Sequence, residues 1–492
     1  MKDISSCNGA AKTSPWKHAC DLLSTIRPGQ FLATGTPGYE LVRSSFWSKT
    51  QADVKPRGIF QPSNAADVAV ALLVLQFTRC PFAVKSGGHG RYPGESTVEN
   101  GVLIDLVALN HIEVSPDRST VSVGPGRRWF DVYSALEPLS LVVVGGRDAD
   151  VGVGGFLLGG GIAFHSSMYG WATDNVKSFE AVLGNGSIVT ASRTENTDLF
   201  RALRGGGGNF AIITSFVIDA YPYSGMWGGV RVSSWDYTKH ILDAMIAYGL
   251  DSPNDPKVSV ILNHGYHEGK WFWSNDLEYC DGVDDPPSQL KSFMDVPAIM
   301  DSTKRSNVST LALAISRGSD SGFRNSYWVL VCKLDIRILE FYIDTFVREG
   351  EKLLGIPGFN PTGDIQVITA GMLKGMDKHG SNVLGLANST EPLLLFNPAP
   401  RWHNAEDDET MLAAFQKIIS SVRQEAEKLN VNHDFLYMNY SSQFQDVIAG
   451  YGSEQKEFML QTSRKYDPEG VFQHLRAGGF KLHGAPLGGS SF

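Results

Sequence analysis

The sequence predicts a two-domain α+β fold, and three observations lead to this prediction. The chain has 492 residues, which is the length of two or more typical domains. Its composition, 42% hydrophobic and 19% charged, can bury a large core. Glycine is dense in residues 145–161 and thins out after residue 222, where aromatic strands alternate with longer helices. We therefore predict a first domain at 1–223, with its core at about 56–223, and a second at 224–430. A C-terminal segment follows at 431–492.

The elements of the first domain are predicted from apolar spacing and turn residues. Residues 59–77 indicate a short strand, a turn and then a helix with Ser63 as its N-cap. An apolar strand then runs into the glycine turn SGGHG at residues 86–90. Residues 178–192 are typical of a hairpin whose Asn185-Gly186 pair forms a type I′ turn.

The second domain is predicted as a sheet with helices stacked on one face. Residues 258–279 indicate two strands around a turn, and residues 391–402 indicate another strand. Apolar residues recur at helical spacing in 335–354 and 408–429. Such alternation is typical of an α+β domain with an antiparallel sheet covered by helices.

Composition excludes several classes of protein. A net charge of -9 argues against a nucleic-acid-binding protein, because phosphate contacts need clustered Lys and Arg. No stretch of about 20 apolar residues occurs, so we expect no membrane span. The first 16 residues lack the apolar core of a signal peptide. We expect a cytoplasmic protein if Met1 is native, and a protein of the secretory pathway if a leader was removed.

The cysteines indicate neither a zinc site nor a fully disulfide-bonded scaffold. None forms a CxxC pair, and the histidine spacing offers no zinc ligands, so no metal site is predicted. Cys280 and Cys332 lie in apolar, strand-like surroundings and are predicted to be buried thiols. The odd number excludes complete pairing within one chain: Cys7, Cys20, Cys80, Cys280 and Cys332.

Three glycine-rich segments point to an extended ligand that carries phosphate. They are SGGHG at Ser86–Gly90, VGVGGFLLGGG at Val151–Gly161 and RGGGGNF at Arg204–Phe210. Glycine leaves backbone N–H groups free and allows close approach to a phosphate. No GxxxxGK[ST] motif occurs, and no clean βαβ unit surrounds the second segment, so neither a P-loop nor a Rossmann fold is indicated. His89 has glycine on both sides, which lets its ring approach a ligand face.

From about Pro56 to Pro222 the chain resembles the FAD-binding domain of the vanillyl-alcohol oxidase and p-cresol methylhydroxylase (PCMH) superfamily. The resemblance is to the berberine-bridge-enzyme-like branch and its fungal members. It rests on PFAVKSGGHG, VGVGGFLLGGG, MYGWATDNV, LGNGS and LRGGGGNFAIITSF, and on FLYMNYSSQF and KYDPEGVFQ near the C-terminus. It implies a PCMH-type fold in which the first domain and the C-terminal segment hold FAD. The middle domain would cover the isoalloxazine ring and form the substrate pocket.

The resemblance also implies how FAD is attached and contacted. His89 would be bonded to the flavin 8α-methyl group. Asp148 stands where a second attachment would need cysteine, so a single histidyl link is expected. Ser86, Gly87, Gly88 and Gly90 would wrap the pyrophosphate, and Ile212 would hold the adenine side. The ribityl chain and ring would be flanked by Val151, Gly152, Gly155, Gly160 and Gly161, where a valine at position 151 accompanies oxidase behaviour in relatives.

The C-terminal motif supplies a candidate base, since loss of a hydride from a C–OH or C–NH group requires loss of a proton. In similar oxidases a tyrosine of a YxN pattern serves, which here is Tyr437. Asn439 and Tyr440 are expected beside the flavin, with a strand from Phe435 to Asn439. Packing of Tyr437 and Tyr440 against the ring is the alternative. Berberine bridge enzyme uses a glutamate on a strand of its substrate domain, whereas the strand that corresponds here carries Asn397.

These motifs predict an FAD-dependent oxidase that dehydrogenates a small organic molecule, with O2 as electron acceptor. The alternatives are a flavin-containing cyclase of Diels–Alder type and an oligosaccharide oxidase. We expect a hydrophobic, natural-product-like substrate because the middle domain offers several aromatics: Trp271, Phe272, Trp273, Tyr327 and Trp328. Relatives pair cysteines near Cys20 and Cys80, which implies a disulfide there if the protein passes through an oxidising compartment.

Overall fold

The computed structural model describes residues 14–486. Up to Pro222 its helices are α1 (Pro15–Ile26), α2 (Pro37–Ser44), α3 (Lys49–Ala52), α4 (Ala65–Thr78), α5 (Trp129–Leu136), α6 (Val153–Leu158), α7 (Ser166–Tyr169) and α8 (Thr197–Leu203). The strands of this part are β1 (Phe31–Ala33), β2 (Gly58–Phe60), β3 (Phe82–Lys85), β4 (Val102–Asp105), β5 (Ile112–Val114), β6 (Thr120–Val123), β7 (Leu141–Val142), β8 (Val176–Val182), β9 (Ile188–Ser192), β10 (Ile212–Asp219) and β11 (Tyr221–Pro222).

Two sheets form the framework of this first part. One has the order β1-β2-β4-β3, in which β4 is parallel to both β2 and β3. The other is antiparallel, with the order β5-β6-β10-β8-β9. The SGGHG turn follows β3 directly, and the glycine-rich segment at 151–161 runs into α6. The two sheets therefore deliver the glycine loops to one region.

The second part is built on a nine-stranded sheet. Its helices are α9 (Thr238–Asp251), α10 (Lys291–Met294), α11 (Val308–Gly318), α12 (Ile336–Gly350), α13 (Ala370–Lys374), α14 (Asp408–Lys428), α15 (Val447–Gly450) and α16 (Ser453–Tyr466). The strands are β12 (Met226–Ser234), β13 (Val258–His267), β14 (Lys270–Tyr279), β15 (Ala298–Asp301), β16 (Lys304–Ser306), β17 (Arg324–Asn325), β18 (Leu330–Lys333), β19 (Gly363–Ile368), β20 (Leu393–Pro398), β21 (Arg401–Trp402) and β22 (Asn432–His433).

The large sheet is antiparallel and has the order β15-β12-β14-β13-β19-β20-β18-β22, with β16 also paired to β12. Helices α9, α12 and α14 bury their apolar sides against it, and Leu339, Phe415 and Phe396 belong to the same core. This confirms the predicted α+β fold with a helix-covered antiparallel sheet. The predicted domain boundary at 223/224 falls between β11 and β12 and stays a prediction.

Three local predictions differ from the structure. Asn64, not Ser63, is the N-cap of α4, because its side chain accepts the N–H of Asp67 at 2.9 Å. In the β8–β9 hairpin Gly186 has a φ of +80° but Asn185 has no positive φ, so the turn is not type I′.

Residues 435–437 are irregular and 438–440 form a 3-10 turn, so the predicted strand from Phe435 to Asn439 is wrong. The Asn439 side chain fills the space beside Gly159 and donates to the Phe156 carbonyl at 3.1 Å. This contact replaces the pairing that a strand would need.

Cys280 and Cys332 are buried free thiols, as predicted. Cys20 and Cys80 are also free, so the disulfide expected for an oxidising compartment is not formed here, and Cys7 lies outside the described residues. Within residues 14–486, no helix combines the length and apolar character needed to cross a bilayer.

Candidate active site

A large cavity connects the glycine loops with one face of the nine-stranded sheet. Its volume is about 660 Å³, which lies within the range of about 300–1,000 Å³ that is usual for small-molecule and cofactor sites. The SGGHG turn and α6 line one side, and β13, β14, β19 and β20 line the other. The C-terminal turn at 437–440 closes the cavity between them.

The first two glycine segments cross in direct backbone contact. A Cβ at Gly87 would lie 2.6 Å from the Gly152 Cα, and a Cβ at Gly152 would lie 2.6 Å from the Gly87 Cα. Ser86 stabilises the crossing, since its Oγ donates to the Pro125 carbonyl at 2.5 Å and accepts the Gly154 N–H at 3.2 Å. Only glycine permits so close an approach of two chains, so the crossing requires glycine at both positions.

His89 lies on the cavity wall with one nitrogen unused. Its ring stacks on Trp47 at a centroid distance of 4.4 Å and an interplanar angle of 8°. Among the described residues, the buried Nε2 has no hydrogen-bond partner and lies 3.7 Å from Asp148 Oδ2. Burial lowers the pKa of the imidazole below its usual value, against the opposing effect of Asp148. The ring is therefore held in place, neutral, and available to a ligand.

Asp148 is positioned by its own contacts rather than by an arginine. Its Oδ1 accepts the backbone N–H of Asp150 at 2.9 Å and the hydroxyl of Ser316. This leaves Oδ2 directed at His89. The position predicted for a second flavin bond thus holds a fixed carboxylate at the cavity wall.

Tyr437 lies on the cavity wall but is bound as a structural phenol. Its hydroxyl oxygen accepts the Ile162 N–H at 3.0 Å and the Asn439 Nδ2–H at 3.1 Å. Burial, with a smaller effect of Tyr440, raises the pKa of Tyr437 above its usual value. A base must be deprotonated before it acts, so this environment disfavours the predicted role of Tyr437.

Tyr440 belongs to a polar network that the sequence did not predict. Its hydroxyl oxygen accepts hydrogen bonds from Arg147 Nη2 at 3.1 Å and from Gln366 Nε2 at 3.2 Å. Arg147 Nη2 also donates to Gln366 Oε1 at 2.6 Å, and no carboxylate among residues 14–486 forms an ion pair with this buried guanidinium. Because two donors occupy the Tyr440 oxygen, its own O–H can donate to a ligand.

A row of four polar residues crosses the sheet on its cavity side. Ser274, Asn263, Asp364 and Asn397 are in register on four adjacent strands, β14, β13, β19 and β20. Directly paired residues point to the same face of a sheet, and all four line the cavity. The strand with Asn397 lacks a carboxylate as noted above, but its neighbour supplies Asp364 at the paired position.

Asp364 is the carboxylate of this row. Its Oδ2 accepts Asn397 Nδ2 at 2.6 Å and its Oδ1 accepts Gln366 Nε2 at 2.5 Å. Burial raises its pKa to about 6, against the smaller effects of these hydrogen bonds and of Arg147. Asp276, two residues along β14 from Ser274, accepts Asn263 Nδ2 at 2.7 Å, and burial raises its pKa to about 6 as well. Both carboxyl groups therefore titrate near neutral pH.

Most residues predicted to contact FAD are brought together, and the cavity fits that group. Gly155 faces open space on the wall, and the orphaned His89 Nε2 faces the same cavity. Gly160 and Gly161 do not reach the cavity, because they form the turn that packs on Trp171 and Phe156. The predicted residues on the wall are Ser86, Gly87, Gly88, His89, Gly90, Asp148, Val151, Gly152, Gly155, Ile212, Tyr437, Asn439 and Tyr440.

The aromatic residues of the second part are placed differently from the expectation. Phe272 and Tyr327 line the cavity. Trp273 and Trp328 are buried in the core under the helices, and Trp271 packs at its edge. The wall beside the sheet is consequently more polar than predicted, with Asn263, Asp276, Asp364, Gln366 and Asn397 on it.

Comparison with known proteins assigns the cofactor. A family model described as "FAD binding domain" matches residues 56–192. The FAD-dependent monooxygenase tpcD of Cochliobolus heterostrophus is 34% identical over 456 residues, which cover 90% of this chain and 88% of that protein. The matched residues include His89, Asp148 and the first two glycine-rich segments, at 86–90 and 151–161.

Two solved structures share the fold. Berberine-bridge-enzyme-like protein 1 of Physcomitrella patens superposes with a TM-score of 0.75 at 17% identity, covering 96% of this chain and 100% of that one. The xylooligosaccharide oxidase of Myceliophthora thermophila, solved with xylobiose, gives 0.72 at 18% identity, covering 94% and 99%. The complete architecture, and not only the cofactor domain, is therefore shared.

Proposed function

This chain belongs to the family of the fungal FAD-dependent monooxygenase tpcD and has the fold of the berberine-bridge-enzyme-like proteins. We propose that it acts as an FAD-linked oxidase and dehydrogenates a small organic substrate at a carbon that bears a hydroxyl group. The chain is an FAD-dependent oxidoreductase. In the proposed reaction the substrate loses a hydride from carbon and a proton from oxygen, which leaves a carbonyl group. O2 accepts the two electrons and two protons and becomes H2O2.

The observation that carries this proposal is the carboxylate of Asp364 in the same cavity as His89. With a pKa of about 6, Asp364 is mostly ionised at neutral pH and can accept a proton at Oδ1 or Oδ2. Gln366 and Asn397 fix its two oxygens, so it is oriented before the substrate arrives. We assign the base to Asp364 in preference to Tyr437.

Arg147 and Tyr440 would orient the substrate oxygen. The Arg147 guanidinium keeps its positive charge and lies beside Asp364 and Tyr440, so it favours negative charge on the oxygen as the proton leaves. The free O–H of Tyr440 can donate to the same oxygen. The flavin, when bound, supplies the acceptor for the hydride.

His89 would hold the flavin covalently through the 8α-methyl group. A neutral imidazole is the form that can make this bond, and burial keeps His89 in that form. Asp148 at the adjacent wall position carries no thiol, which supports one attachment rather than two. Val151 on the wall supports O2 as the acceptor by its resemblance to the oxidase pattern.

The class of substrate is proposed from the relatives and the wall together. The relatives are named FAD-dependent monooxygenases without a substrate, and Phe272 and Tyr327 on the cavity wall support a natural-product-like molecule over a sugar. The polar row favours a substrate with several oxygen atoms. The shared fold with a xylooligosaccharide oxidase supports the sugar alternative, which the same test examines.

The test is anaerobic mixing of the holoprotein with panels of phenolic, polyketide-like alcohols and of oligosaccharides. Bleaching of the flavin absorbance by one panel, followed by O2 uptake and H2O2 on aeration, is the expected result. A substrate that is converted without bleaching or O2 uptake would establish the cyclase alternative and refute the oxidase.

A further inference from the structure

The guanidinium of the half-buried Arg476 lies in the cavity wall. Within residues 14–486 its side chain forms no hydrogen bond or ion pair, and its Nη1 is completely buried. A buried N–H donor without a hydrogen-bond partner costs free energy. Such a cost is normal where the partner is a ligand that binds in the cavity.

The space around this guanidinium is kept open by two glycines. A Cβ at Gly208 would lie 2.8 Å from Arg476 Cζ, and a Cβ at Gly479 would lie 2.9 Å from Arg476 Nη2. Gly208 belongs to the third glycine-rich segment, which the mechanism above does not use. A side chain at either position would collide with the guanidinium, so these two glycines leave the room that Arg476 occupies.

Tyr92 and Glu95 act on Arg476 electrostatically, but among the described residues neither forms a hydrogen bond or an ion pair with it. Glu95 is engaged by Arg91, whose Nη2 donates to Oε1 at 2.7 Å and whose N–H donates to Oε2 at 2.5 Å. The Lys481 amine lies outside the cavity lining and donates to the Arg476 carbonyl at 2.7 Å and to the Phe472 carbonyl at 2.8 Å, and burial lowers its pKa well below the usual value. The cavity lining here thus holds two guanidinium groups, of Arg91 and Arg476, and one carboxylate, of Glu95.

The backbone places Arg476 beside the strand that leads to the phosphate loop. Phe82 and Arg476 form a parallel bridge, and Ala477 N donates to the Phe82 carbonyl at 2.6 Å. Phe82 begins β3, which ends at the SGGHG turn. Arg476 and that turn line the same cavity.

We propose that Arg476 is the counter-charge of the FAD diphosphate, which it binds through its free N–H groups. A guanidinium presents paired donors that match phosphate oxygens, and the diphosphate carries the negative charge that this end of the cavity lacks. The C-terminal segment would then contribute a charged cofactor contact in addition to Asn439 and Tyr440. This inference rests on FAD binding and not on the substrate or the base.

The test compares Arg476→Lys and Arg476→Gln in the holoprotein. We would measure the FAD content of each preparation and the rate at which phosphodiesterase releases AMP from the bound cofactor. Arg476→Gln should contain less FAD or release AMP about tenfold faster or more, because a charge-assisted hydrogen bond is lost. Arg476→Lys, which keeps the charge, should remain within about threefold of wild type.

Arg201→Gln is the matched control. Arg201 is also partly buried and donates to Gln455 at 2.8 Å, but it does not line the cavity. It should retain wild-type FAD content and AMP release. Wild-type behaviour of Arg476→Gln would overturn the proposal, as would equal impairment of Arg476→Lys and Arg476→Gln, which would indicate shape rather than charge.

A second measurement does not depend on the folding of the glutamine variant. The ³¹P resonances of bound FAD should differ between wild type and Arg476→Lys if the guanidinium contacts the diphosphate. Unchanged resonances would overturn the proposal. Unchanged resonances with altered binding of inorganic phosphate would assign Arg476 to a free anion instead. Neither result would affect the proposed oxidation.

Discussion

Replacement of Asp364 by asparagine removes the proposed base with little change in shape. The asparagine side chain cannot accept the substrate proton, so the rate of flavin reduction should fall by about 10²–10⁴. The amide oxygen keeps one of the two hydrogen bonds from Gln366 and Asn397. Loss of the other costs about 0.5–1.5 kcal/mol, which a folded domain tolerates.

The pH dependence follows from the pKa of about 6. Since the ionised form acts as the base, wild-type flavin reduction should be lost as the pH falls through about 6. Its rate at pH 5 should be about one tenth of the rate at pH 7. For stability the sign is opposite, because the pKa is raised on folding. The contribution of Asp364 to the free energy of unfolding is fully present below about pH 4 and is lost as the pH rises through about 6.

The assay is anaerobic stopped-flow reduction of the flavin at saturating substrate. FAD content and thermal unfolding serve as checks that Asp364→Asn is folded and loaded. Asp276→Asn is the comparison, because it removes a carboxyl group with a similar pKa from the same wall. Flavin reduction by Asp364→Asn within about threefold of wild type would refute the reasoning. A large fall in the rate of flavin reduction in Asp276→Asn alone would assign the role of base to Asp276.

Three further predictions concern the cofactor, the phenol and the thiols. Acid precipitation should leave FAD in the wild-type pellet and release it from His89→Ala, and release from wild type would disprove the covalent link. Tyr437→Phe should destabilise the fold by about 1–3 kcal/mol, because the Ile162 N–H loses its acceptor, while flavin reduction slows by less than about tenfold. A slowing of 10² or more, read in the same stopped-flow assay, would restore the base to Tyr437. In a Cys7→Ser variant, Ellman's reagent at pH 8 should react slowly until the protein is unfolded. The reason is that burial raises the pKa of each remaining thiol, namely Cys20, Cys80, Cys280 and Cys332. A thiol that reacts fast in the folded protein would contradict this prediction.

The two crossing glycine segments of the proposed FAD site could be predicted, because each is a short motif of neighbouring residues. Gly87 and Gly152 lie within short motifs whose composition alone indicates close backbone approach. The polar row could not be predicted in this way. Asn263, Asp364 and Asn397 are adjacent only through the pairing of β13, β19 and β20, and a register shift of one residue would turn each to the other face.

The C-terminal motif shows a different reason for failure. The order FLYMNY alternates in a manner compatible with a strand, yet the β-pairing ends at His433. The turn at 438–440 is fixed by tertiary contacts of Asn439 with the segment before α7, which no local pattern contains. Arg147 was missed because GGRDAD has the composition of an ordinary loop.

Segments far apart in the sequence meet at the proposed FAD site, and this has a consequence for biosynthesis. The Arg91 side chain donates to the Asn439 carbonyl, which ties the segment after His89 to the turn at 437–440. A ribosome that has translated both crossing glycine loops has not yet made this turn. Contacts of such long range form late. The contact between Arg91 and Asn439 can therefore form only after the turn at 437–440 has been synthesised.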